Sequence, residues 1–365
     1  MTSRPSNRRR AARVTILLMA LAAVMFTAAP QASATFPGTN GRIAFWDFNI
    51  GQVFAVNPNG SGLVQLTHVD SAHAASHPAW SPNGRFIIFT LVIANTPEDH
   101  ARIWIMRRDG THAHQLSHDL IGYRNYTGAF TPDGQHIVFA RCKPNDGVCA
   151  IWMMRSDGTH KFPLTPFREG RDEAVDFNPT VSADGSLAFT RFQWHGITSQ
   201  IYVSDHIGAT PKAVTPVPLE AFAPDWAPNG HMLAFSSNSF HAGSAIYQIS
   251  ETGTALHQII PAETYPHNNL ISSFSPDGTR IAFLSDRRFA DPFCCFDLWA
   301  AQANGAGQHR IPTGTLNGVV DPAWGPAPGG GAAATSTSAR AAFGARRTIR
   351  LPALCHAMGG HAPYC

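Results

Sequence analysis

The chain has 365 residues, of which only 14% are Asp, Glu, Lys or Arg, with 31 Gly and 27 Pro. This turn-dense, charge-poor composition argues against a helical protein and for an all-β one. The formal net charge of +3 belongs to the two ends, where residues 1–34 hold five arginines and residues 327–365 hold four, with no acids in either stretch. The interior is therefore near −6, which excludes reading the basic balance as a nucleic-acid-binding domain.

The first 34 residues read as a secretory signal. Arg4, Arg8, Arg9, Arg10 and Arg13 form a basic head, Val14 to Ala29 is an apolar run of 16, and Ala32-Ser33-Ala34 matches an A-x-A cleavage site. The run is short of the roughly 20 residues a spanning helix needs. The expected product is an exported chain with no stable membrane span, located in a periplasm, a cell envelope or the extracellular space. Retention as an uncleaved anchor is the alternative.

Residues 35–326 repeat one phrase six times. Its first half carries an Asn-Gly or Asp-Gly pair, at Gly41, Gly84, Gly134, Gly185, Gly230 and Gly278, spaced by 43, 50, 51, 45 and 48 residues. These dipeptides are strong hairpin signals. A phenylalanine follows each: Phe45, Phe89, Phe139, Phe189, Phe235 and Phe283. In the second half an aromatic precedes a glycine by six residues in every copy: Phe54/Gly60, Trp104/Gly110, Trp152/Gly158, Tyr202/Gly208, Tyr247/Gly253 and Trp299/Gly305. A period in the forties with several short strands per unit predicts a β-propeller with one four-stranded blade per repeat. The first copy lacks the aromatic-Pro half that opens the others. That half stands at the far end, as Asp321-Pro322-Ala323-Trp324-Gly325-Pro326. The expected fold is an all-β, six-bladed propeller closed by N- and C-terminal strands sharing one blade. Trp80, Trp104, Trp152, Trp226 and Trp299 fall on repeating positions and are expected in the core, whereas Trp46 and Trp194 do not.

Cys142 and Cys149 flank a hairpin and are expected to form a disulfide, as suits an exported chain. Cys294 and Cys295 are adjacent, and their pairing with each other, with Cys355 and Cys365, or with another chain stays open. Residues 327–365 begin with a Gly/Ala/Ser/Thr-rich run, expected to be a flexible tail.

Loops entering the innermost strands of a propeller surround its channel, so candidate binding residues are found by aligning the copies on Trp80, Phe130, Val181, Trp226, Phe274 and Trp324. His77, Asn178 and Asp321 lie three residues upstream of that frame, as do Thr127, Ala223 and Ile271. Arg124, Asn125, Asp176, Asp225 and Asn269 lie close by.

Ala79-Trp80-Ser81-Pro82-Asn83-Gly84, followed by Ile103-Trp104-Ile105-Met106, resembles the repeat of the TolB-type β-propellers. Ser273-Phe274-Ser275-Pro276-Asp277-Gly278-Thr279-Arg280-Ile281-Ala282-Phe283 is a close copy. The resemblance covers about 35–326, and the α/β domain that precedes the propeller in TolB is not expected here. It implies a periplasmic-type propeller that docks other proteins. The expectation is thus a monomeric, non-catalytic scaffold without cofactor or nucleic acid, binding a protein, peptide or small ligand at the channel mouth. Two alternatives remain. One is a propeller enzyme (lactonase, lyase or glycan hydrolase) with a metal held in the channel by residues such as His77, Glu173, Asp176 and Asn178. The other is a carbohydrate or cell-wall binder using Trp46 and Trp194.

Overall fold

The computed structural model describes residues 36–331, except 94–99, 119–121, 144–146, 171–172, 195, 197, 240–242, 263–266 and 290–294. The signal-like segment, Cys294, Cys355 and Cys365 lie outside the described residues. Among the described residues no helix is long and apolar enough to cross a membrane.

The chain forms β1 (Gly38–Asp47), β2 (Gln52–Val56) and β3 (Val64–Gln65), which belong to the first blade. The second blade is β4 (His73–Trp80), β5 (Phe86–Ile93), β6 (His100–Arg107) and β7 (His114–Gln115). The third is β8 (Arg124–Phe130), β9 (His136–Cys142), β10 (Cys149–Arg155) and β11 (Phe162–Pro163). The fourth is β12 (Ala174–Val181), β13 (Leu187–Gln193), β14 (Thr198–Ser204) and β15 (Lys212–Ala213). The fifth is β16 (Ala221–Trp226), β17 (Met232–Ser239), β18 (Gly243–Ser250) and β19 (His257–Ile260). The sixth is β20 (Asn269–Phe274), β21 (Arg280–Ser285), β22 (Asp297–Gln302) and β23 (His309–Arg310). The final strand, β24 (Val319–Gly331), returns to the first blade and pairs antiparallel with β1, Trp324 opposite Ile43. Each blade is thus a four-stranded antiparallel sheet, and β24, β4, β8, β12, β16 and β20 contact one another in ring order as the innermost strands. The expected propeller and its shared closing blade are both present, and the closing strand runs on to Gly331.

The turns explain why the phrase folds this way. In Ser81-Pro82-Asn83-Gly84, the Ser81 hydroxyl donates to Asn83 Oδ1 at 2.8 Å and accepts the amide of Phe86 at 2.9 Å. The same device recurs at Thr131/Asp133 and at Ser275/Asp277. A side chain that mimics the turn's own backbone bonds fixes the hairpin before any tertiary contact forms. Gly41 departs from this pattern. It lies inside β1, because the strand it would turn back from is supplied by β24 at the other end of the chain. A Cβ there would sit 2.7 Å from the Pro326 carbonyl carbon and oxygen, so glycine is needed for strand approach and not for a turn.

In all six blades the repeat phenylalanine and the aromatic of the next strand are direct cross-strand partners. Ring centroids lie 5.8 Å apart for Phe45–Phe54, 5.9 Å for Phe189–Tyr202 and 6.5 Å for Phe283–Trp299. Such pairs add about 0.5–1.5 kcal/mol each beyond the apolar area they bury. Two residues past each of four outer strands stands a hydroxyl: Thr67, Ser117, Thr165 and Thr215 each accept the backbone amide of a residue on the third strand at 2.8–2.9 Å.

The tryptophans divide by strand. Trp80, Trp226 and Trp324, on innermost strands, are buried. Trp104, Trp152 and Trp299 are only partly buried, which corrects the expectation that all repeat-position tryptophans are core. They sit on the third strand, nearer the outer edge of the blade, where the short fourth strand covers them incompletely. Cys142 and Cys149 face each other in register on β9 and β10 and form the expected disulfide. Cys295 accepts a hydrogen bond from Asn317 Nδ2 at 3.8 Å.

Candidate ligand-binding site in the propeller channel

Five of the six residues standing three places before the innermost-strand aromatic have positive φ: His77 (51°), Asn178 (53°), Ala223 (51°), Ile271 (44°) and Asp321 (51°). None is glycine, Ile271 is β-branched, and four of the five precede a proline. Left-handed backbone costs such residues of order 1–2 kcal/mol each. The cause is a β-bulge: the pairing of every innermost strand with its neighbour slips at this point. The bulge turns one backbone amide out of the ladder and toward the preceding blade. The Ala223 amide donates to Thr190 Oγ1 at 3.1 Å and the Ile271 amide to Ser236 Oγ at 2.7 Å. A ring of re-aimed residues results around the channel.

At one point on this ring, side chains of three blades converge. Trp46 Nε1 donates to Asp321 Oδ2 at 2.5 Å, and His77 Nε2 lies 3.7 Å from the same oxygen. The imidazole Nδ1 is 2.8 Å from Ser76 Oγ. The His77 ring lies between two aromatics, its centroid 5.8 Å from Trp46 and 6.0 Å, edge-on, from Tyr126. Asp321 is 1% exposed and the His77 side chain 12%. Burial lowers the His77 pKa from 6.5 to about 4, so the ring is neutral at physiological pH. A buried carboxylate, a neutral imidazole and an indole thus form one hydrogen-bonding, aromatic-walled patch of the kind that holds a peptide backbone or a planar polar group.

This arrangement predicts a pH-dependent stability. The unfolded chain protonates His77 near 6.5 and the folded chain near 4. Between those values the unfolded state binds more protons, so stability falls as pH drops through the window. The loss due to this residue is about 3 kcal/mol. Chemical denaturation of the native chain and of His77→Phe at several pH values between 7.5 and 4 tests this. The native chain should lose about that much more than the variant, and parallel curves would refute the account.

The other sequence candidates are used differently. Asp176, 1% exposed, is held bidentate by Arg191, with Nε 2.6 Å from Oδ1 and Nη2 2.8 Å from Oδ2. Arg191 in turn stacks 4.3 Å over the Tyr202 ring. Asn269 accepts from Arg287 Nη2 at 2.9 Å and donates to the Pro261 carbonyl at 2.8 Å, and Arg287 stacks 4.4 Å over Trp299. Arg141, opposite Asn125 across the β8–β9 pair, stacks 4.6 Å over Trp152. Three blades therefore share an arginine laid on the third-strand aromatic beneath an Asn or Asp of the innermost strand. Asp225 Oδ2 accepts the Phe274 amide of the next blade at 2.8 Å, a bond that seals two blades together. Asn125 and Asn178 are buried, and Arg124 is partly exposed at the start of β8. Of the metal-ligand set considered for an enzyme, Asp176 has both carboxylate oxygens on Arg191. Among the described residues no three His, Cys, Asp or Glu side chains gather as a cation-binding group. Trp194 is 39% exposed and packs edge-on against Phe192 at 4.9 Å, away from the Trp46 patch.

Sequence reasoning found His77 and Asp321 as channel residues, singled out Trp46 only as a sugar-stacking candidate, and missed Tyr126. A signal for Trp46 was present. The residue after the repeat phenylalanine is Thr90, Ala140, Thr190, Ser236 or Leu284 in the other copies, and only here a tryptophan.

Fold and site together define a closed six-bladed β-propeller with an aromatic, histidine-containing patch in its channel. No family model matches the sequence, and no curated protein does. Solved structures do match. TolB from Acinetobacter baumannii superposes with a TM-score of 0.61 at 18% identity, over 79% of this chain and 67% of that one. A chain of a nidogen/laminin complex gives 0.56 at 11% identity, over 78% and 97%. The tricorn protease gives 0.55 at 15%, over 79% of this chain and 27% of its own length. The fold is therefore that of the TolB propeller.

Proposed function

We propose that this chain is an exported, non-catalytic scaffold that captures a protein or peptide segment in its channel at the Trp46–His77–Tyr126–Asp321 patch. The observation that carries this reading is Trp46. It breaks the repeat where the other copies carry small, hydroxyl or aliphatic residues, and it joins two strained, bulged residues, His77 and Asp321. Repeat residues build blades, and a departure at the channel is where selection for a partner leaves its mark. The patch offers indole and phenol rings, the aromatic types enriched at protein-recognition hot spots, beside a buried carboxylate. The Cys142–Cys149 disulfide supports an oxidising compartment, as does the signal-like start of the sequence. The nidogen/laminin match is a propeller fold within a protein–protein complex. In this reading the chain works as a monomer and needs no cofactor.

The test is site-specific crosslinking. A photoreactive amino acid in place of Tyr126 in the native compartment should yield one discrete adduct, lost when Trp46→Ala or His77→Ala is added. An adduct that survives both substitutions moves the binding surface elsewhere.

A further inference from the structure

A cleft of about 510 Å³ lies on the first blade, at the end of the propeller that carries the β-turns, away from the bulged ring. It exists because this blade has no hairpin between its two innermost strands. Where other blades place an Asx turn, β24 runs straight on, and its Ala327 and Pro328 form one wall. Arg42, Arg108, Arg280 and His309 line the cleft, with Asn57 and Asn59 beside them. The arginines come from three successive blades.

Their guanidinium groups make no hydrogen bond or ion pair among the described residues. The nearby acids are committed elsewhere. Asp109 Oδ1 accepts from the Thr111 amide and hydroxyl, and Asp277 accepts from Ser275 and Thr279 through Oδ1 and from Asn40 through Oδ2. Arg108 is partly buried, and its pKa is lowered by that burial and by the charge of Arg42. Asp109 acts on Arg108 in the opposite sense, but none of the three guanidinium groups has an ion pair among the described residues, and three like charges gathered this way favour an external anion. Guanidinium forks and amide side chains are the donors that bind phosphate or carboxylate oxygens in pairs, and the volume suits a small molecule.

We propose that this cleft is a binding site for a small anion carrying at least two charges, a phosphate or a carboxylate compound, independent of the channel patch. Calorimetric titration of the purified chain with pyrophosphate and with citrate, at ionic strength matched with chloride, tests it. At least one should bind, and the stronger of the two assigns the headgroup chemistry. Arg42→Gln and Arg280→Gln should each weaken binding about tenfold, the scale of one charge-assisted hydrogen bond. Arg280 is exposed at a strand end, so its variant retains the fold. The melting temperature without ligand should stay the same or rise, since a repulsion is removed. Binding of neither probe above the chloride control, or equal binding by both variants and the native chain, overturns the proposal.

Discussion

Asp176→Ala is expected to lower the folding free energy by about 3–5 kcal/mol, although the side chain lies in the region where channel ligands were sought. The carboxylate is buried and bidentate with Arg191. Removing it leaves a guanidinium in the blade with only the Tyr202 and Phe189 rings as company. The large loss measures the stranded charge and not the net worth of the pair. A double variant, Asp176→Leu with Arg191→Met, should therefore recover most of it. Urea denaturation of the native chain, both single variants and the double variant gives the full cycle. If the double variant is as unstable as the sum of the singles, the stranded-charge account is wrong.

Gly305→Ala should cost about 2–5 kcal/mol, adding left-handed strain to overpacking. Gly305 has φ 84°, and a Cβ there would meet the Ile259 carbonyl oxygen of the preceding blade at 1.8 Å. Gly208 supplies an internal control. It occupies the same place in its own blade at φ 92°, yet nothing lies within 4 Å of an added Cβ. Gly208→Ala should therefore show only the conformational share, about 1 kcal/mol. Thermal and chemical melts of the two variants separate the contributions, and equal losses would show that inter-blade contact at this turn is immaterial.

The architecture was legible because the repeat writes its own alignment. The six-residue interval from aromatic to glycine and the Asx-Gly turns fix both register and blade number. The displaced Trp324 phrase announces the closure. The site was legible only in part. His77 and Asp321 follow from their offset to the repeat aromatic, but Asp176, Asp225 and Asn269, taken as candidates for lying close to that position, serve the blades. The bulge is the physical reason. An extra residue reverses which side of the strand its neighbours face, so a linear offset does not separate channel-facing groups from those turned into the sheet. Trp46 stood out in the sequence only as an off-repeat tryptophan, because it lies on the second strand and not at the offset that marks the innermost-strand residues. The basic cleft was invisible for another reason: its arginines are distant in sequence and meet only where a turn is missing.

Sharing one blade between the two ends of the chain also sets a timetable for synthesis. From the moment β1 emerges, the edge that will receive Val319–Gly331 stays bare, an unpaired row of amides and carbonyls inviting any passing extended segment. Five complete blades must be made before the proper occupant exists. A ribosome that stalls late, or a protease that cuts just before Val319, would leave a molecule that is almost whole yet open along an adhesive seam.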